Sequence, residues 1–121
     1  MFDHVTLNIR SYARGRAFYE KALEPLGYSV GYEWEKGCGF GVGDAVDFWI
    51  REEGAPSGPT HVAFRISDRR AVAAFHEAGL AAGGRDNGAP GPRPQYGPTY
   101  YAAFVLDPDG NNVEAVCHAA E

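Results

Sequence analysis

The chain has 121 residues, of which 45% are hydrophobic, enough to bury one core of ordinary domain size. Its formal net charge is -5 and it has no cluster of Lys and Arg, which argues against binding to nucleic acid or to an anionic membrane surface. No apolar run approaches the length of a bilayer span, and the two cysteines lack the spacing of a disulfide framework or a zinc knuckle. We therefore expect one cytoplasmic domain over residues 1–121, with a small molecule or another protein as its partner.

The first half is predicted to contain a strand, a helix and three further short strands. Polar and apolar side chains alternate over residues 2–10, which indicates a half-buried strand whose polar face carries His4. Ser11 fits the N-cap of a helix over about residues 12–24, which Pro25 closes. The three strand candidates that follow are residues 28–34, 39–42 and 45–50.

The second half is predicted to repeat this order after a turn-rich linker at residues 52–59. Residues 60–66 form the strand candidate, and Ser67 or Asp68 can cap a helix to about residue 82. Residues 83–98 hold too many Gly and Pro for more than one short strand, so a functional lid or a disordered loop is expected there. The last element is a hairpin of residues 100–106 and 112–117.

An internal repeat relates the two halves. The segment DHVTLNI at residues 3–9 aligns without a gap with THVAFRI at residues 60–66, at a spacing of 57 positions. A duplication places two copies of one supersecondary unit about a pseudo-twofold axis, so His4 and His61 can converge between the halves. We therefore expect a first module over residues 1–51 and a second over residues 60–118. Between residues 3–23 and 60–80, seven pairs are identical: His4/His61, Val5/Val62, Ile9/Ile66, Ala17/Ala74, Phe18/Phe75, Glu20/Glu77 and Leu23/Leu80.

Glu114 is the third candidate for a metal site. It faces opposite to Val113 and Ala115 in an otherwise apolar strand, where an ionised carboxylate needs a cation or hydrogen-bond donors to compensate its burial. Together with His4 and His61 it forms a set of two imidazoles and one carboxylate, typical of non-haem Fe(II) oxygenases and also suited to Mn, Ni, Zn or Co. The alternatives are hydrogen-bonded core or rim histidines and a Glu114 that faces solvent at a sheet edge.

The segments DHVTLNI, THVAFRI and YYAAFVLDPDGNNVEAV resemble the vicinal oxygen chelate superfamily, which includes glyoxalase I, extradiol dioxygenases, fosfomycin and bleomycin resistance proteins, and epimerases. The resemblance covers essentially the whole chain. It implies an α+β fold in which two βαβββ modules form a cupped mixed sheet, with a divalent metal ion at the base of the cup. It also implies a small-molecule substrate and a homodimer. His4, His61 and Glu114 match three ligand positions of the superfamily.

The fourth ligand position differs from the pattern of glyoxalase-like members, which have a carboxylate on the last strand of the first half. The repeat places Trp49 there, and an indole has no lone pair for a metal ion, so Trp49 is interpreted as a pocket wall. Asp47 would need a displaced register to replace it, and an ordinary structural role is preferred. Three protein ligands leave positions open for substrate or oxygen, which favours a dioxygenase-type site over strict glyoxalase I.

Six residues are candidates for substrate binding, although no catalytic residue is assigned. Apart from Trp49, each has an ordinary alternative: a hydrogen bond within the barrel, a solvated arginine, or packing at a dimer contact. Tyr100 belongs to the same tyrosine cluster. The candidates are Trp49, Asn8, Arg65, Arg93, Tyr96 and Tyr101.

The function predicted from these residues is a metal-dependent lyase or dioxygenase that chelates neighbouring oxygens of its substrate. One alternative is a resistance protein that binds a drug in the same cup without turnover. A fosfomycin-type transferase is less favoured, because no dense cationic site for a phosphonate is evident. The pattern leaves open the substrate, the reaction, the metal, and whether the cup lies within one chain or between two.

Overall fold

A computed structural model describes residues 1–120 as two units of the same order, strand, helix and three strands. The first unit contains β1 (Val5–Asn8), α1 (Tyr12–Leu23), a 3-10 turn (Glu24–Leu26), β2 (Ser29–Trp34), β3 (Gly37–Val42) and β4 (Ala45–Arg51). The second contains β5 (His61–Arg65), α2 (Arg69–Ala81), β6 (Arg85–Pro92), β7 (Tyr101–Leu106) and β8 (Asn112–Cys117).

Each unit builds its own four-stranded mixed sheet. The strand orders are β1-β4-β3-β2 and β5-β8-β7-β6. The first strand of each unit pairs in parallel with the last, and the other pairs are antiparallel. The predicted α+β class with two βαβββ units is therefore confirmed. The strand that follows His4 and the strands of His61 and Glu114 lie in different sheets, not in one continuous sheet.

One face of each sheet is covered by helices. On β1, Leu7 is buried while Thr6 is exposed, as the alternation predicts. Ser11 caps α1 by accepting a hydrogen bond from the amide of Arg14, and Asp68 caps α2 by accepting one from the amide of Arg70. The faces away from the helices carry the polar positions of the repeat. The helices bury Phe18, Tyr19, Ala22, Leu23, Val72 and Phe75.

A buried hydrogen-bond network joins α1 to the second unit. The hydroxyl of Tyr19 donates to Asp107 Oδ2 at 2.5 Å, and both residues are buried. Asp107 also accepts from the amide and the side chain of Asn111, at 2.8 and 2.9 Å. Asn111 Oδ1 in turn accepts from the amide of Thr60 at 2.9 Å. The DPDGNN turn thus connects α1, the β7–β8 hairpin and the start of β5.

The segment after α2 differs from its prediction. Instead of one short strand within a long lid or disordered loop, β6 runs for eight residues and pairs with β7. Its register shifts twice, between Asp86 and Gly88 and between Gly88 and Gly91. As an edge strand, β6 tolerates these bulges and its prolines, because one side of its backbone needs no ladder partner.

Within residues 1–120, neither helix is long and apolar enough to cross a bilayer.

Candidate functional site

A carboxylate and an imidazole meet on the face of the second sheet that points away from the helices. Glu114 pairs with Ala63 on β5 and with Phe104 on β7. His61 Nε2 lies 2.8 Å from Glu114 Oε1. The Glu114 side chain is 2% exposed and that of His61 is 53% exposed, so the carboxylate lies beneath an accessible imidazole. Two of the three predicted metal ligands are therefore in direct contact.

Tyr100 occupies the other oxygen of the same carboxylate. Its hydroxyl donates to Glu114 Oε2 at 2.5 Å. Burial raises the pKa of Tyr100 to about 12, with the hydrogen bond to Glu114 as the next cause, so the phenol remains a donor at neutral pH. Its ring lies between Tyr96 and His118, with centroid distances of 5.4 and 5.1 Å. The sequence showed a tyrosine cluster here, but no pattern in it singled out Tyr100 as the partner of Glu114.

His4 stands apart from this pair. It precedes β1 of the first sheet, its Nδ1 lies 2.6 Å from Asp3 Oδ1, and its side chain is 53% exposed. In the described part of the chain, residues 1–120, no three His, Cys, Asp or Glu side chains are grouped so that they could hold a metal ion. One chain therefore presents a His61–Glu114 pair and a separate His4.

The geometry of the pair suits two neighbouring ligands of one divalent cation. Two donor atoms that each lie about 2.1 Å from an ion, at right angles to one another, are about 3.0 Å apart. His61 Nε2 and Glu114 Oε1 are 2.8 Å apart. The hydrogen bond from Tyr100 orients the carboxylate in the way that outer partners orient metal ligands. The two side chains thus have the spacing of neighbouring ligands, and within residues 1–120 no third His, Cys, Asp or Glu side chain is grouped with them.

Trp49 occupies the position in the first sheet that Glu114 occupies in the second. Trp49 pairs with Thr6, and Glu114 pairs with Ala63, the residue 57 positions after Thr6. The indole lies over the outer face of the sheet, with its centroid 6.0 Å from those of Tyr32 and Trp34. The sequence prediction missed these two rings, although their two-residue spacing on one strand was a usable signal.

Asp47 does not share the face of Trp49. The β3–β4 register shifts between Phe40 and Gly41, which leaves Asp47 without a paired residue. A Cβ at Gly39 would meet both Trp49 and Val46, so Val46 takes the neighbouring place on the outer face. Tyr28 donates to Asp47 Oδ2 at 3.2 Å. The displaced register thus exists, but it directs Asp47 to Tyr28 and into a cavity that β5 also lines.

Two of the remaining candidates are held by local contacts. Asn8 accepts a hydrogen bond from Arg51 Nε at 2.8 Å. Arg93 donates to the carbonyl oxygens of Ala89 and Gly91 at 2.7 and 2.8 Å, beside the ring of Phe104. These contacts hold the guanidinium of Arg93 beside Phe104, the residue on β7 that is paired with Glu114.

The other three candidates lie in different surroundings. Arg65 is exposed and lines the cavity that contains Asp47. Tyr96 is exposed beside Tyr100. Tyr101 packs against the hydrophobic core with the guanidinium carbon of Arg69 4.7 Å from its ring centroid, so it points away from Glu114.

Comparisons with known proteins agree with this architecture. A family model described as the Glyoxalase/Bleomycin resistance protein/Dioxygenase superfamily matches residues 1–115. A glyoxalase/bleomycin resistance protein from Albidiferax ferrireducens T118 is 26% identical with a TM-score of 0.82, over 97% of this chain and 98% of that one. A putative glyoxalase from Bacillus halodurans is 23% identical with a TM-score of 0.74, over 97% and 95%. No curated protein matches the sequence.

A mutant of glyoxalase I from Zea mays is also similar, at 24% identity and a TM-score of 0.69, over 95% of this chain and 46% of that one. At this level of identity the likeness concerns the fold. The shared architecture extends from β1 to β8, and so includes the strands that carry His61, Glu114 and Trp49.

Proposed function

Because the chain belongs to the Glyoxalase/Bleomycin resistance protein/Dioxygenase superfamily, we propose that it is a metal-dependent enzyme acting on a small molecule, as a lyase or a dioxygenase. The observation that carries the proposal is the contact of His61 with the buried carboxylate of Glu114. A buried carboxylate beneath an exposed imidazole forms a coordinating pair that is open to solvent on one side.

His61 Nε2 and Glu114 Oε1 are the proposed ligands, and the candidate ions are Fe, Mn, Ni, Zn and Co. Such an ion supplies Lewis-acid chemistry for two neighbouring substrate oxygens. Tyr100 keeps the carboxylate oriented by donating to its second oxygen. Asn8, Trp49, Arg65, Arg93 and Tyr96 are proposed to line the substrate cup, whereas Tyr101 supports the strand from the core side.

His4 of a second copy is the proposed third ligand. In one chain the side chain of His4 is exposed, and among the described residues it contacts the adjacent Asp3. A cup assembled from the first module of one chain (1–51) and the second module of another (60–118), with residues 52–59 as linker, would bring His4 to a His61–Glu114 pair. A homodimer of this kind would hold two such cups. Both cysteines are free and buried, which supports a cytoplasmic location.

Metal binding by tag-free protein tests the proposal. Apo-protein is titrated anaerobically with Fe(II), Mn(II), Co(II), Ni(II) and Zn(II), and bound metal is counted per chain. We expect one ion per chain, lost in His61→Ala and Glu114→Gln and weakened in His4→Ala. His76→Ala is the matched control, because it removes an imidazole bonded to a carboxylate, Asp86, elsewhere on the molecule. Failure of all five ions to bind stoichiometrically would refute the proposal.

Dimer assembly has its own test. Mixing His4→Ala with Glu114→Gln chains should restore one complete site in each mixed dimer, if the ligands come from two copies. The recovered stoichiometry would be about half an ion per chain in that dimer. If the sites form within single chains, mixing restores nothing.

A non-catalytic binder of a small molecule or an antibiotic is the second candidate function. The exposed rings of Tyr32 and Trp34, together with the half-buried ring of Trp49, favour it, because aromatic surfaces bind ligands without any metal. Tight ligand binding that survives both a chelator and the Glu114→Gln substitution, without turnover, would support this function over the first.

A further inference from the structure

The outer face of the first sheet carries three aromatic rings in mutual contact. Tyr32, Trp34 and Trp49 have centroids 6.0 Å apart in every pair. Tyr32 is 59% exposed and Trp34 is 38% exposed. We call these three residues the aromatic face. Leaving so much apolar surface in water costs free energy, so a patch of this kind commonly marks a binding surface.

Glycines on β3 leave room for the rings of Trp34 and Trp49 to pack closely against the sheet. Gly37 is directly paired with Trp34, and Gly39 is paired with both Tyr32 and Trp49. A Cβ at Gly37 would come within 2.5 Å of the Trp34 ring, and one at Gly39 within 2.6 Å of the Trp49 ring. Any other residue at these positions would push a ring off the sheet. The close packing of Trp34 and Trp49 on β3 therefore depends on these glycines.

The three rings are in direct contact but are not coplanar. Their centroids are 6.0 Å apart, within the range of directly packed aromatic pairs, and their planes are tilted by 41° to 58°. A planar ligand ring can stack on one of them from the solvent side and meet the next ring at an angle. The geometry favours a planar ring over a branched aliphatic group.

A cationic side chain borders the aromatic face. Arg51 follows Trp49 by two residues and is paired with Gly37, so it lies in the same row as Trp34. Its Nε is held by Asn8 Oδ1 at 2.8 Å. Within residues 1–120 it forms one ion pair, an exposed pair with Glu53 at 3.4 Å, which a ligand carboxylate can displace at little cost. The terminal nitrogens of Arg51 are thus positioned to bind an anion beside the rings.

We propose that the aromatic face binds a planar aromatic ring bearing an anionic group, with the ring packed against Trp34 and Trp49 and the anion at Arg51. The inference rests on the proposed function, whose substrate class it names: an aromatic carboxylate or a close analogue. Stacking and charge pairing need no metal, so this binding is separable from the His61–Glu114 pair.

Calorimetric titration of the full chain with 2-naphthoate tests the inference. Two probes isolate its parts: cyclohexanecarboxylate keeps the charge without the planar ring, and 2-naphthalenemethanol keeps the ring without the charge. We expect 2-naphthoate to bind about tenfold more tightly than either. Trp34 and Trp49 are the only tryptophans, so their emission reports directly on occupancy. Equal affinities for the three probes would overturn the inference.

Substitutions locate the binding. Trp34→Leu should weaken 2-naphthoate about tenfold, whereas Leu80→Ala, which truncates an α2 side chain that is also 38% exposed, should not. Arg51→Met should weaken 2-naphthoate and leave 2-naphthalenemethanol unchanged. Circular dichroism identifies any variant that fails to fold, and Gly39→Ala supplies a second perturbation of the rings without removing an aromatic group. Unchanged affinity in folded Trp34→Leu and Gly39→Ala would contradict the inference.

Metal dependence separates this inference from the proposed function. Binding of 2-naphthoate should persist in a chelator and in Glu114→Gln. If it does while no metal binds, the enzyme proposal fails and the aromatic face stands. If 2-naphthoate does not bind, and acrylamide quenching of the tryptophans falls as protein concentration rises, a second copy covers the face and the inference is wrong.

Discussion

The hydrogen bond from Tyr19 to Asp107 predicts a large stability change for Tyr19→Phe. The substitution removes one hydroxyl from a fully buried side chain and keeps its ring contacts with Phe18 and Phe48. Asp107 Oδ2 would retain only its bond from Asn111. Removing a hydrogen bond to a charged group typically costs about 1.5–3 kcal/mol, so we expect the free energy of unfolding to fall by about 2 kcal/mol.

Urea unfolding followed by tryptophan emission measures this change. Tyr28→Phe is the matched control, because it removes the same atom from a longer, partly exposed bond to Asp47 at 3.2 Å. Its cost should stay below about 1 kcal/mol. A loss of less than about 0.5 kcal/mol in Tyr19→Phe, with an unchanged denaturant slope, would refute the view that this bond joins α1 to the second unit.

The same pair has a signature at alkaline pH. Burial, followed by the charge of Asp107, raises the pKa of Tyr19 well above its usual value. The native state therefore keeps a proton that the unfolded state releases above about pH 10. This contribution is fully present below that pH and is lost as the pH rises further. The stability gap between the native sequence and Tyr19→Phe should consequently shrink above about pH 10.

Three further predictions concern single contacts. Tyr100→Phe should weaken metal binding about tenfold, because the Glu114 carboxylate loses the donor that orients it. A titration against a competing chelator measures the metal affinity. Equal affinity in Tyr100→Phe and the native sequence would exclude the positioning role of Tyr100. Gly41→Ala should lower the free energy of unfolding by more than about 2 kcal/mol, because its Cβ would lie 1.7 Å from the carbonyl oxygen of Ala45. Gly43→Ala should lower it by about 1 kcal/mol, because a Cβ there has open space but the backbone φ is 61°. A hydrogen bond from His76, then one from the amide of Gly88, lowers the pKa of Asp86, so this contribution to stability is present above about pH 4 and is lost on further acidification. In His76→Gln the Asp86 carboxyl should titrate at higher pH by NMR, and an unchanged titration would assign the shift to Gly88.

The sequence alone determined the order of elements, the helix caps and the pseudo-equivalence of the two halves. These features depend on local periodicity and on side chains that bond to neighbouring amides, as Ser11 and Asp68 do. Glu114 was also identified locally, since an ionised group among buried strand residues needs a partner. The repeat further indicated that Trp49 occupies in the first unit the position that Glu114 occupies in the second, because side chains alternate between the two faces in the same way on equivalent strands.

Only the tertiary structure decided which side chains from different strands and helices come into contact. Tyr100 reaches Glu114 from a turn fourteen residues earlier in the chain, a contact that no local pattern encodes. The bulge that sends Asp47 to Tyr28 depends on how β3 and β4 pair, and the length of β6 depends on its edge position. His4 precedes β1 of the first sheet and Glu114 lies on β8 of the second, and one chain leaves the two side chains apart. The sequence could not predict this separation, because periodicity determines which face a side chain occupies and not which other face it meets.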